Sequence, residues 1–253
     1  MSDEFIPPLR QDPHLVQQFL EQVRGAVPLD IEQIDMMLRL ISAAREKLEN
    51  FLDLGCGDGV LSAALLGEHP YAQGIAVDHS SSMLDVTRGR LETLPARMDF
   101  IQTDFRLPGW TPAVADFAPF DAIASGFSIH HLPNTRKREL YQEVFELLGP
   151  EGIFINIEHV ASATRWTESL LDDYMISAIF GEQLRACPGQ RRVEVARAFY
   201  EQSGGERSGL APLEVQLDWL REIGFQDVEC YFKVQELAVF GGQRPGLAGV
   251  SGE

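Results

Sequence analysis

The sequence predicts an α/β protein built on one doubly wound, mostly parallel sheet, and three observations carry that prediction. Between Phe51 and Ile157, short apolar runs alternate with amphipathic stretches, the pattern of strands covered on both faces by crossover helices. The first run enters Asp53-Leu54-Gly55-Cys56-Gly57-Asp58-Gly59, a glycine-rich turn that opens into a helical pattern at Val60. Acids end the first three runs at Asp53, Asp78 and Asp104, the sheet edge where an open parallel sheet takes its ligands.

Residues 1–50 read as a helical N-terminal cap. Asp12-Pro13 starts a helix whose Leu15, Phe19, Leu20 and Val23 share a face, and Gly25 and Pro28 interrupt it. Asp30 with Gln33 has capping-box spacing, and Ile34, Met37, Leu38 and Ile41 mark a second amphipathic helix. In the core, 51–160, strands are predicted at 51–54, 72–77, 98–103, 120–125 and 152–157, with helices at 60–67, 83–94 and 135–148. Gly149-Pro150 is a stop for the last of these helices. Alternation then ceases. Trp166, Leu170, Leu171, Tyr174, Met175, Ala178 and Ile179 recur at helical spacing, a second helix is predicted at 193–201 and a polar loop at 203–212, so 161–212 reads as a helical insertion. A helix at 213–223 and strands at 228–232 and 236–240 complete the core through 242. The glycine-rich chain from Gly241, with 243–253 as a tail, is predicted to be mobile.

A chain of 253 residues is long enough for one α/β domain with an insertion. Lysine and arginine total 21 against 38 acids, a formal charge of −17, which repels a phosphate backbone and argues against a nucleic-acid partner. The basic clusters Arg136-Lys137-Arg138 and Arg191-Arg192 read as solvated helix faces. Three dispersed cysteines, Cys56, Cys187 and Cys230, give neither a disulfide framework nor metal spacing. The acidic N-terminus has no apolar targeting run and no stretch reaches membrane-spanning length, so a cytoplasmic location is expected.

Glycine removes the Cβ that blocks close ligand approach, which is the use of such a turn. A dinucleotide fingerprint places its third glycine at position 60; here that residue is Val60 and the third glycine comes early, at Gly59. Asp53 and Asp58 are poor neighbours for a pyrophosphate and good ones for an ammonium or sulfonium. The segment resembles the first motif of class I S-adenosylmethionine-dependent methyltransferases. That resemblance implies a Rossmann-like seven-stranded sheet in the order 3-2-1-4-5-7-6, its last strand inserted antiparallel. It implies methionine-end contacts from Asp53, Gly55, Cys56 and Gly57, ribose contacts from Asp78 and His79, and Met83 beside the adenine. Asp104 and Phe105 hold the adenine on this reading, and Gly126 and Phe127 line the floor where glycine again admits a close ligand. S-adenosylmethionine is then the cofactor and S-adenosylhomocysteine its product.

Methyl transfer from a sulfonium is an in-line displacement in which alignment is most of the task, and a base is needed only where the nucleophile must lose a proton. No metal is called for. After the fourth strand comes Phe127-Ser128-Ile129-His130-His131-Leu132-Pro133, and a similar His-His-Leu follows this strand in many small-molecule methyltransferases. His130 and His131 are the candidate bases; against that, one of them caps the next helix and the other packs on Phe127. Glu158 and His159 end the fifth strand facing the same cleft, and Arg165, Trp166, Tyr174 and Arg197 of the insertion complete the candidate substrate residues. The element order also resembles the carboxy-S-adenosylmethionine synthases of transfer-RNA wobble-uridine modification, through Val27-Pro28, the long insertion and the ending at 224–238; Leu29-Asp30 stands where that group has Gly-Tyr. Three functions therefore compete: methylation of a small molecule, a cofactor-modifying or tRNA-linked relative, and a catalytically silent cofactor-binding module. A homodimer through the insertion is compatible with all three.

Overall fold

The computed structural model describes residues 29–92, 97–186, 189–206 and 209–246; the first predicted helix, Val27-Pro28, Cys187 and the end of the tail lie outside them. One sheet of seven strands organises the chain: β1 (Asn50–Leu54), β2 (Gln73–Asp78), β3 (Arg97–Gln102), β4 (Phe120–Gly126), β5 (Leu148–His159), β6 (Gln226–Val234) and β7 (Leu237–Gln243). Its order is β3-β2-β1-β4-β5-β7-β6. The first five strands are parallel, and β7 runs antiparallel to β5 and β6. The helices are α1 (Asp30–Ala44), α2 (Val60–Glu68), α3 (Ser81–Leu91), α4 (Asn134–Leu147), α5 (Arg165–Ala186), α6 (Arg192–Glu206) and α7 (Leu213–Ile223). None is long and apolar enough to cross a membrane.

Strand periodicity of two divides the core into layers. Leu52, Leu54, Ile123 and Phe154 face α4 and α7, against Leu140, Tyr141, Val144, Leu217 and Leu220. Their neighbours Phe51, Ala122, Ala124, Ile153 and Ile155 face the other way, onto Met37 and Ile41 of α1 and Leu61 and Leu65 of α2. Burial on both faces explains why these strands read as continuous apolar runs rather than alternating ones.

Three local readings need correction. Asp30 and Gln33 make no capping box: Leu29, at φ 57°, is the N-cap without a side-chain bond, and Gln33 is buried. α4 stops at Leu147 and β5 begins at once, running through Gly149-Pro150. Gly241 and Gly242 belong to β7. A Cβ at Gly241 would overlap the Phe154 carbonyl and one at Gly242 would come within 2.9 Å of Val228 Cγ2, so these glycines serve close strand packing. Order continues to Arg244, whose N–H donates to Gly152 O at 2.8 Å and whose guanidinium lies 5.1 Å from the Phe145 ring centroid.

The insertion leaves and rejoins the sheet at one place. Ala161 N–H donates to Ala211 O at 3.0 Å, and Ala161 bridges Pro212. Asp172, Ile176 and Val195 form its buried side. The apolar stripe of α5 is divided: Trp166 is 75% exposed and Leu170 and Tyr174 about half exposed, while Leu171, Met175 and Ile179 are partly buried.

Candidate active site

Parallel pairing of β1, β2 and β4 brings their carboxyl ends together. Gly55, Gly57 and Gly59 all have positive φ, at 76°, 54° and 75°. The N–H groups of Gly55 and Cys56 both donate to Val77 O, at 2.8 and 2.9 Å, which folds the turn over the end of β2. The three glycines have different tasks. A Cβ at Gly55 would collide with Ser128, and one at Gly59 would lie 2.6 Å from Thr87 Cγ2, so both admit protein neighbours. A Cβ at Gly57 would meet nothing closer than 4.0 Å. Of the three, Gly57 alone has no protein neighbour within ordinary contact of a built Cβ, and it is the glycine that leaves room at the turn.

The acids around the turn are equally distinct. Asp78 Oδ2 accepts from Gly57 N–H at 3.2 Å and Oδ1 from Ser80 N–H at 2.9 Å, with His79 Nδ1 3.3 Å away. Asp53 is buried; Oδ2 accepts from the Ser62 N–H and hydroxyl at 3.1 and 2.6 Å, while Oδ1 has no partner. Burial raises its carboxyl to about 6; the Ser62 bonds oppose that rise and the charges of Asp58 and Asp78 add to it. Asp58 is not a ligand acid, because Arg90 holds it at 2.7 Å. Asp104 is closed by Arg106 at 2.7 Å; burial pushes its carboxyl up, and the Arg106 bonds outweigh that and leave it lowered.

Met83 is buried in α3's first turn, with its N–H on the Ser80 cap at 3.3 Å. Cys56 is a buried filler; burial raises its thiol well above the ordinary range. Phe105 is buried and edge-on to Trp110, 3.4 Å from where a Gly55 Cβ would stand, so its ring supports the turn rather than offering an open stacking face. A Cβ at Gly126 would lie 3.0 Å from Leu61 Cδ1, so this glycine also admits a protein neighbour. Phe127 holds φ 49°, an unusual conformation for a non-glycine residue, fixed by its N–H on Ile157 O at 2.8 Å.

Beyond Phe127 a single turn, Ile129–His131, carries both histidines. His130 Nδ1 lies 2.6 Å from Glu158 Oε1, and His130 N–H donates to Glu158 Oε2 at 2.8 Å. Glu158 is fully buried and also accepts from His159 N–H at 2.8 Å. A carboxylate accepts, so the bond assigns a proton to Nδ1, and in the neutral ring this leaves Nε2 as the acceptor. His131 lies against His130, with 3.8 Å between ring centroids and the planes tilted by 47°. His159 lies 6.0 Å from His130 by centroid, with Nε2 3.1 Å from Glu236 Oε2. Neither histidine of the turn caps α4, whose N-cap is Pro133 without a side-chain bond. Glu158, expected to face the cleft, is instead fully buried and spends its carboxylate on His130 and the His159 N–H. Arg165, Trp166, Tyr174 and Arg197 are exposed on the insertion. Among the described residues no group of three or more acids, histidines or cysteines is arranged to hold a metal.

The basic cluster of α4 is not the solvated face that its sequence suggests. Arg138 is exposed, but Arg136 is 6% exposed and Lys137 fully buried. Arg136 donates to Phe105 O through Nε and Nη2 at 3.1 and 2.8 Å and pairs with Glu143 at 2.6 Å, anchoring the loop after β3. Lys137 Nζ donates to His130 O at 3.1 Å, Leu132 O at 2.7 Å and Gly209 O. The available signal is position: both lie in the first turn of α4, next to the sheet edge that carries the histidines.

Residues 51–152 match the family described as a methyltransferase domain. The chain is 22% identical over 232 residues to a carboxy-S-adenosyl-L-methionine synthase of a Nitratiruptor species, covering 90% of each. It is 26% identical over 209 residues to a trans-aconitate 2-methyltransferase of Acidovorax ebreus, covering 82% of this chain and 69% of that one. Among solved structures, the N-methyltransferase NodS of Bradyrhizobium japonicum, in complex with S-adenosyl-L-homocysteine, is similar in fold, with a TM-score of 0.56 at 15% identity over 86% of this chain and 88% of that chain. An O-methyltransferase family protein of Burkholderia thailandensis has a TM-score of 0.59 at 17% identity over 90% of this chain, which spans 62% of that protein. The predicted sheet order is the observed one, and residues 51–152, which carry the methyltransferase-domain match, span its strands β1 to β4 and the start of β5.

Proposed function

We propose that this chain, an S-adenosylmethionine-dependent enzyme of the methyltransferase class, methylates a small-molecule acceptor at a group that must lose a proton, with His130 as its base. The observation carrying this reading is the buried His130–Glu158 pair at 2.6 Å, which fixes the imidazole tautomer that can take a proton at Nε2. The cofactor fits the opposite side. Gly57 leaves room for its amino-acid arm, and the unpartnered Asp53 Oδ1 suits its ammonium. Asp78 retains lone pairs for ribose hydroxyls beside its backbone bonds, with His79, Met83 and the Asp104–Phe105 loop around the adenine. When bound, the cofactor supplies a methyl group already activated by its sulfonium. The residues align the acceptor, exclude water and receive the proton.

Acceptor screening tests this: phenols, hydroxy acids and amines are incubated with S-adenosylmethionine, and S-adenosylhomocysteine is measured. Turnover that survives His130→Ala unchanged removes the base. The carboxy-S-adenosylmethionine synthase reading is favoured by similarity along 90% of the chain, and mass spectrometry of the nucleoside retained by the purified protein separates the two. Cytoplasmic residence and a homodimer through Trp166, Leu170 and Tyr174 belong to the same proposal; a monomer mass by light scattering removes the dimer.

A further inference from the structure

We propose that Lys137 is the positioning residue of the candidate base, and that it makes the seating of the helical insertion and the setting of His130 one event. This rests on the reading of His130 as the base. An ammonium has three N–H donors, and Lys137 directs each to a main-chain carbonyl: His130, Leu132 and Gly209. The first two belong to the turn that carries the imidazole. The third is the last stretch of the insertion before α7. Only glycine fits there, because a Cβ at 209 would stand 2.9 Å from His130 O. Two further contacts keep that stretch in place: Ala211 O receives Ala161 N–H at 3.0 Å and the Gln216 amide at 3.1 Å, and Gln216 Oε1 in turn receives the Tyr141 hydroxyl at 2.6 Å. The turn and the insertion's root therefore share one cation.

A buried ammonium persists only when its donors are used and its charge is answered. Burial lowers Lys137 to about 8, and the charge of Glu158 opposes the fall. Glu158 is the carboxylate that also holds His130, so the two opposite charges grip one residue, the carboxylate at its ring and N–H and the ammonium at its carbonyl. The other titratable groups facing His130 are His131 on its own turn and His159, with Glu236 behind it.

Nitrogen-15 NMR of histidine-labelled protein reads the imidazole tautomer directly, and hydrogen exchange reads 128–133 and 209–212. In the unaltered protein, His130 gives the Nδ1–H tautomer; a different tautomer removes the base reading and this inference with it. Lys137→Met stays folded, mixes the His130 tautomers and raises exchange in both segments together by about tenfold, the factor expected for losing a charge-assisted hydrogen bond. Tyr141→Phe, equally buried on the same helix, lowers the melting temperature and leaves the tautomer unchanged. A folded Lys137→Met with an unchanged tautomer, or with exchange raised in one segment only, overturns the proposal while leaving the base reading intact. Should that variant not fold, exchange of the unaltered protein in rising denaturant decides: the two segments open together if Lys137 couples them, and separate opening overturns it.

Discussion

At the edge formed by β1 and β2 the crevice is shaped by main chain, whereas at the edge formed by β4 and β5 it is shaped by buried charge. Gly57 makes room by lacking a side chain, and neighbouring N–H groups fold the turn onto Val77 O and Asp78. Across the cleft, Glu158 and Lys137 are both fully buried and hold the His130 turn between them. Main-chain architecture is local, since the glycine turn is one short stretch of chain. The charged half is assembled from partners 28 and 72 residues apart. Single side-chain changes should therefore affect the first half gradually and disable the second as a unit, since removing one member of a buried charged pair strands the other.

The largest effect tests the charged half. His130→Ala is expected to lower methyl transfer about 10²- to 10⁴-fold while calorimetric binding of S-adenosylhomocysteine stays as it was. A parallel loss of cofactor affinity would erase the distinction between the halves.

Asp53→Asn comes next and reaches the buried acid of the main-chain half. Its carboxyl is raised to about 6 from an ordinary value of 3.8, so the folded state binds that proton more tightly than the unfolded state does. Stability is therefore lost as pH rises from about 4 to about 6, and the full cost of an ionised, buried Asp53 is present above that. The variant is expected to be more stable than the parent at pH 7.5 by on the order of 2 kcal/mol, with the gain disappearing as pH falls to about 4. Denaturant melts across that range measure it, and cofactor affinity should fall at the same time. A smaller effect is expected of Trp166→Ser on the exposed stripe: within about 0.5 kcal/mol for the dissociated protomer, by thermal melting at low protein concentration. A larger loss would mean that the stripe is covered in solution.

The difference between the halves also explains what the sequence disclosed. Strand alternation, the glycine turn and the acids at strand ends are local patterns, and the sheet order taken from the family resemblance is the one observed. Which glycine faces open space was not legible, because the neighbours that fill the others, Ser128, Thr87 and Leu61, come from distant positions. Lys137 was hidden for the same reason. A basic run on a helix reads as solvated unless the chain that returns to bury it, here at Gly209, is known. Gly241 looked like a loose tail because a glycine required by strand packing and a glycine in a flexible segment are the same letter.

Calorimetric titration of S-adenosylhomocysteine into the unaltered protein and into Asp78→Ala tests the placement of the cofactor most directly. Micromolar or tighter binding to the first, weakened about 10- to 100-fold in the second, is what a ribose held by Asp78 beside Gly57 requires. Equal affinity for both proteins would contradict it.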